Sequence, residues 1–289
     1  MTEAFTRRDW GLLAAVALMW GSSFLLIEIG LVDLEPATVA WLRIVFGALT
    51  LACIPGARRG VRRGELPGIA LLGLVWMAVP FLLFAVAQQS ISSSLAGMIN
   101  GAAPLFTVAV AAVWARRLPR GLQVVGLGVG FAGVLAINWP ATQGAQATAV
   151  GAGLVLLATA FYGFAFNLAV PLEERSGVLP VIWRAQLVAA VLLAPPGVAG
   201  LAGSSPSWSG LLAVAALGAF STGLAFVAFT TLASRVGAAR GSVTVYFIPV
   251  VAIVLGVLLR DESVAAVSLF GTALVLLGAY LTSRRTRTG

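Results

Sequence analysis

The chain has 289 residues, of which 60% are hydrophobic and only 10% charged. Soluble domains carry about 25% charged residues, so a water-soluble domain is excluded, and with it the enzymes and nucleic-acid binders built on one. The net charge of +8 comes entirely from arginine, and the chain has no histidine. His-based triads, HExxH zinc sites and histidine proton relays are therefore excluded, and the arginines read as determinants of membrane orientation.

Ten apolar spans are expected, at 10–31, 36–55, 67–88, 93–115, 121–138, 150–170, 179–199, 208–232, 238–259 and 265–282. Each approaches the ~20 residues with which a helix crosses a roughly 30 Å hydrocarbon core. The first follows Arg7 and Arg8 and imitates an export signal over Trp10–Ala17, but its apolar run continues to Ile27, which predicts retention. It holds Trp20 and Phe24 near mid-depth and Glu28 towards its far end. The second opens at Pro36 and carries Arg43, placed in its outer part, and Cys53, which has no cysteine partner and reads as a packing residue. The third holds Trp76 and Phe81 and ends at Gln88 and Gln89. In the fourth, Pro104 denies the Asn100 carbonyl its helical hydrogen bond and bends the axis. The fifth has Gly126 and Gly130 in a GxxxG spacing suited to close helix contact. Its formal GxGxxG, Gly128 to Gly133, lacks the preceding strand and following acid of a dinucleotide site. The sixth carries Tyr162, Phe166 and Asn167, the seventh Arg184, the eighth Ser221, the ninth Tyr246 and Pro249, and the tenth Gly271 and Gly278.

Sliding the chain along itself by 145 positions lays Phe81 on Phe226, Phe84 on Phe229, Pro104 on Pro249, Gly126 on Gly271 and Gly133 on Gly278. An offset of 142 lays Trp20 on Tyr162 and Phe24 on Phe166. Shared register of this kind marks a duplicated unit, here 1–140 and 141–289. Five spans per copy is odd, so the second copy enters the membrane from the opposite side. The expected fold class is an all-α integral membrane protein, with ten transmembrane helices in two inverted-topology five-helix repeats.

With the N-terminus in the cytoplasm, Arg7, Arg8, Arg58, Arg59, Arg62, Arg63, Arg116, Arg117, Arg120, Arg175, Arg235, Arg240, Arg284, Arg285 and Arg287 fall inside or at inner span ends. Only Arg260, beside Asp261 and Glu262, falls in an outer loop. This is the positive-inside pattern, with both termini cytoplasmic. Trp10, Trp114, Trp139 and Trp208 sit near span ends, as interface anchors do.

The candidate substrate-binding residues are Trp20, Phe24, Trp76, Phe81, Gln88, Asn100, Tyr162, Phe166, Asn167, Ser221 and Tyr246. Trp20, Trp76, Asn100, Tyr162 and Tyr246 share one mid-membrane depth, where lipid offers no hydrogen-bond partner, which suits a cavity for an amphiphilic solute, while Gln88 ends its span and Asn167 sits late in its own. The alternative is that they bond to neighbouring helices and only pack. Charges inside spans are costly. Glu28 is placed to pair with Arg43, and Arg184 with Glu173 or Glu174, either as gates or as structural ion pairs. Pro104 and Pro249 are candidate hinges. No catalytic residue, metal site or cofactor is expected. The expected partners are a small-molecule substrate and the lipid bilayer, not nucleic acid, and the protein is expected to work as a monomer.

Trp20-Gly21-Ser22-Ser23-Phe24, Pro36 with Arg43, Leu95 with Pro104-Leu105-Phe106, Pro249 with Glu262, and Gly271 with Gly278 follow one another over nearly the whole chain. In that order they resemble the EamA-type members of the ten-helix drug/metabolite transporter superfamily. The resemblance implies two inverted repeats around a central cavity and export or uptake of small organic solutes. Amino-acid exporters, aromatic ones included, are prominent among bacterial members. In one departure from the pattern, the acidic position kept at Glu262 is Arg117 in the first copy. The expected function is secondary export of small amphiphilic metabolites, foremost amino acids with aromatic or hydrophobic side chains, by alternating access across a cell inner membrane. The alternatives are a channel or uptake carrier for other small organic solutes and, remotely, a membrane-embedded enzyme.

Overall fold

The computed structural model describes residues 6–116, 121–143, 146–236 and 242–283, and every regular element among them is helical. Arg117, Arg120, Arg240, Arg284, Arg285 and Arg287 lie outside the described residues. The crossings are α1 (Arg7–Leu31), α2 (Pro36–Ala52), α3 (Arg63–Ala87), α4 (Ser93–Trp114), α5 (Leu122–Gln143), α6 (Gln146–Ser176), α7 (Val178–Ala199) and α8 (Trp208–Val236). They are completed by α9, a 3-10 turn Ser242–Phe247 continuing as Ile248–Arg260, and α10 (Ala266–Ser283). Six of the ten are long and apolar enough to cross a membrane, while α2, α5, α9 and α10 are shorter apolar helices. Trp10, Trp114, Trp139 and Trp208 are all exposed near helix ends. Cys53 is exposed at the end of α2 rather than packed inside, since that helix has already stopped at Ala52.

The starts of α1, α4 and α8 are capped by side chains, which gives partners to N–H groups that an apolar surrounding would leave free. In α1, Asp9 N donates to Thr6 Oγ1 at 3.3 Å and Thr6 N donates to Asp9 Oδ2 at 3.0 Å. Leu95 N donates to Ser92 Oγ at 3.2 Å at the head of α4, and Gly210 N to Ser207 Oγ at 3.1 Å at the head of α8.

The interruptions along the helices position the site. α1 breaks at Ser22 and α4 at Gly101–Ala102. The bend expected at Pro104 thus falls just ahead of it, because Pro104 occupies the first turn of the new helix Ala103–Trp114, where its missing N–H costs nothing. Pro249 takes the same place at the start of Ile248–Arg260. α3 and α8 each contain a π turn, at Gly73–Ala78 and Leu217–Leu224. Gly73 and Gly218 are 145 positions apart, so both copies widen at the same point. A Cβ on Gly73 would lie 2.5 Å from the Ala185 carbonyl of α7, and one on Gly218 2.6 Å from the Arg43 carbonyl of α2. Both π turns therefore press backbone to backbone on equivalent helices of the other copy.

The packing between copies is reciprocal. α1 packs on α8 and α9, α2 on α7 and α8, α3 on α6 and α7, α4 on α6 and α9, and α5 on α10. Exchanging each helix for its counterpart five places along returns the same set of pairs. This is the self-complementary pattern of a two-fold axis, here within one chain. α5 and α10 meet through glycines: a Cβ on Gly133 would sit 2.6 Å from Gly271 O, and one on Gly278 2.5 Å from Gly126 O. The GxxxG spacing thus serves close contact, with Gly278 set against the Gly130 backbone.

Candidate substrate site

Trp20, Phe24, Trp76, Phe81, Asn100, Tyr162, Phe166 and Ser221 converge on one chamber of about 110 Å³. They lie near the middles of α1, α3, α4, α6 and α8. Its aromatic wall is continuous: Phe24 meets Phe84 at 5.7 Å between ring centroids, Phe84 meets Tyr162 at 5.6 Å, and Tyr162 meets Phe166 at 6.0 Å. Trp76 then stands edge-on to both Phe166 (5.3 Å, 87°) and Phe226 (5.6 Å, 86°), and Phe226 meets Trp20 at 5.8 Å. Edge-to-face geometry of this kind adds to the burial of the rings and stiffens the wall. The wall also obeys the repeat. Tyr162 against Phe84 and Trp20 against Phe229 are equivalent pairs, each with an interplanar angle of 44°.

Three expected residues do not reach the chamber. Asn167 Nδ2 donates to Thr107 O at 3.0 Å and Gly163 O at 2.8 Å, which ties α6 to α4. Tyr246 OH donates to Ala279 O on α10 at 3.1 Å. Each follows a lining residue, Phe166 or Val245, and one helical step of about 100° turns it away. Gln88 is buried at the C-cap of α3, one turn beyond Phe84.

The expected ion pairs are also redrawn. Glu28 does not pair with Arg43; its Oε1 takes the Arg260 Nε at 2.8 Å. Arg43 is buried and lines the chamber, its guanidinium carbon 3.7 Å from the centre of the Phe81 ring and its Nε donating to Thr222 Oγ1 at 3.2 Å. Arg184 Nη1 donates to Pro180 O at 3.2 Å, with its guanidinium carbon 5.6 Å from the Trp183 ring centre, and it makes no ion pair with Glu173 or Glu174. The π-turn contacts make Ala185, not Arg184, the counterpart of Arg43. Phe84, Phe226, Ser23, Ile27, Ala103, Val245 and Ile248 also line the chamber and were not expected there. For Phe84 and Phe226 the signal was present, because both lie on the repeat register with other aromatics.

Contacts at the two membrane faces close the bundle. On the face that carries the α1–α2 connection, Ser93 N and Ser94 N donate to the two Glu262 oxygens, each at 2.9 Å, and Ser93 Oγ donates to Oε1 at 2.5 Å. On the same face Ser207 bonds Asp33, and Glu35 N donates to Ser204 Oγ at 3.0 Å. On the opposite face Ser176 bonds Glu65, and Arg235 Nε donates to Asp9 Oδ1 at 2.6 Å. Partial burial pushes the Glu262 carboxyl up, but the donors of Ser93 and Ser94 outweigh it and hold it below the usual 4.5. A lowered folded-state value means that this clasp contributes fully above pH 4.5 and fades as pH falls through the lowered value. Glu262→Gln is expected to cost about 1 kcal/mol at pH 7 after solvent screening. It should also flatten the acid limb of stability, which thermal melts of purified protein between pH 3 and 7 would check.

The sequence profile of the EamA-like transporter family matches residues 10–139 and again 149–284. The chain belongs to the EamA-like transporter family. The family assignment covers both five-helix units and agrees with the membrane-spanning fold. Among similar proteins, the "Uncharacterized inner membrane transporter YedA" of Escherichia coli is 28% identical, over 94% of this chain and 92% of its own. The "Probable terminal-alkyne amino-acid exporter" of Streptantibioticus cattleyicolor is also 28% identical, over 96% of this chain and 93% of its own. One solved crystal structure superimposes with a TM-score of 0.62 at 17% identity, covering 94% of this chain and 95% of that one, a likeness of fold alone. In this EamA-like protein the chamber lies between the two family units, with lining residues from both.

Proposed function

We propose that the protein is a secondary carrier that exports small amphiphilic metabolites, foremost amino acids with aromatic or bulky apolar side chains, by alternating access. The observation that carries this reading is the two-fold aromatic chamber, enclosed between halves whose contacts are reciprocal. Rocking of one half against the other would open it to either side of the membrane. The breaks at Gly101–Ala102 and Ser242–Phe247, each followed by a proline in the next turn, are the hinges of that motion. The similarity to the "Probable terminal-alkyne amino-acid exporter" of Streptantibioticus cattleyicolor supports the substrate class, and the similarity to the "Uncharacterized inner membrane transporter YedA" supports the location. The arginine distribution supports a cytoplasmic position for both termini. Each chain contains a whole chamber, so it acts as a monomer. The test is counterflow in proteoliposomes with a panel of amino acids. A carrier accumulates labelled solute against unlabelled solute trapped inside. Equilibration without this overshoot would indicate a channel, and no flux of any panel member would remove the amino-acid reading.

A further inference from the structure

Resting on the carrier reading above, we propose that the chamber holds its solute by an α-amino acid head group, the carboxylate on Arg43 and the ammonium on Asn100 Oδ1. Arg43 is 6% exposed and Asn100 7%, and both line the same chamber. A guanidinium buried within a membrane protein needs a counter-charge. Among the described residues the ion pairs are Arg235 with Asp9 and Arg260 with Glu28, so Arg43 has no carboxylate partner. Only its Nε is bonded to protein. The bond is well supported: Thr222 Oγ1 donates across the π turn to Leu217 O at 3.2 Å, and Gln186 Nε2 donates to Thr222 O at 2.5 Å. With Nε fixed and Phe81 under its plane, the guanidinium keeps the two-pronged end that a carboxylate fits.

Asn100 Oδ1 is the opposite case, a buried acceptor with no donor. Leaving it so costs about 1–3 kcal/mol, which an ammonium N–H would recover. A simple carboxylate would satisfy Arg43 and leave Asn100 orphaned. A simple amine would satisfy Asn100 and leave the guanidinium without a counter-ion. A zwitterionic head group supplies both, and its side chain is left facing Trp20, Trp76 and Phe226.

The test is counterflow by the purified full-length protein in proteoliposomes, with phenylalanine, phenylalaninamide, 3-phenylpropanoate and phenethylamine as probes. For the wild type, each probe lacking one charge should have a kcat/KM about ten- to hundred-fold below that of phenylalanine. Arg43→Lys should raise the KM for phenylalanine about tenfold, keeping the charge but not the two-pronged geometry. Asn100→Ala should bring phenylalanine and 3-phenylpropanoate to within about twofold of one another, while phenylalaninamide stays poor. Equal transport of phenylalanine and phenylalaninamide by the wild type would overturn the role of Arg43 and leave the carrier reading standing. An Asn100→Ala protein that still prefers phenylalanine over 3-phenylpropanoate would overturn the role of Asn100. Absence of counterflow for every probe would remove the amino-acid reading and this assignment with it.

Discussion

Gly133→Leu is expected to abolish stable folding, whereas Gly128→Leu, five residues earlier and on another face of the same α5, should be tolerated. A side chain on Gly133 meets main-chain atoms, Gly271 O and Val275 N, both at 2.6 Å, so no rotamer change can relieve it and the α5–α10 pair must separate. At Gly128 nothing lies within 4 Å. Overpacking by a single methylene costs about 1–3 kcal/mol, and a leucine against backbone exceeds that. Against a total stability of about 5–15 kcal/mol, the loss should appear as aggregated protein in size-exclusion chromatography from mild detergent. A monodisperse Gly133→Leu peak with an unchanged melting temperature would contradict the packing described for α5 and α10.

Trp76→Ala should cut transport of the best substrate about tenfold or more, while Trp76→Phe should keep most of it. Trp76 touches both Phe166 and Phe226, so it closes the aromatic wall between them. Each edge-to-face pair contributes about 0.5–1.5 kcal/mol beyond its buried area, and the alanine variant loses two of them. Its repeat counterpart is Ser221, a small residue, so Trp76 also sets how much of the chamber is filled on its side. The alanine variant should therefore accept bulkier solutes that the wild type excludes. Initial rates of counterflow for a size series of aromatic amino acids would check both effects, and a variant with the wild-type size limit would refute the filling role.

Much of this arrangement was legible in the sequence, because the duplication carries its own alignment. Trp20 on Tyr162, Phe24 on Phe166 and Phe81 on Phe226 are repeat matches, and all six residues line the chamber. Apolar runs, with the turn and charge signals between them, located the ten helices, four of them shorter than the rest. What escaped was rotation about helix axes. Tyr246 and Asn167 have the right chemistry at the right depth but point one residue away from the lining face. A purely apolar stretch with few polar landmarks does not fix that angle. The π turns escaped for a similar reason, since one extra residue per turn leaves an all-apolar pattern unchanged. The partner of Glu28 escaped because sequence proximity favoured Arg43, whereas the fold brings Arg260 from the ninth helix.

The lone guanidinium has a consequence for how the transport cycle is biased. Two halves that trade roles between an inward- and an outward-facing form would offer the same site to both compartments if they were identical. They are not: Arg43 sits on α2, and its equivalent on α7 is Ala185. In the proposed cycle, a solute tethered to α2 would stay with that half while the other swings, so it would meet a different set of neighbours in each form. Its dissociation constants at the two membrane faces would then be unequal, offset by different inward-outward equilibria of the empty and loaded forms, as detailed balance demands. Sidedness of the proposed cycle would thus be built into a two-fold scaffold by a charged residue that its duplicate lacks.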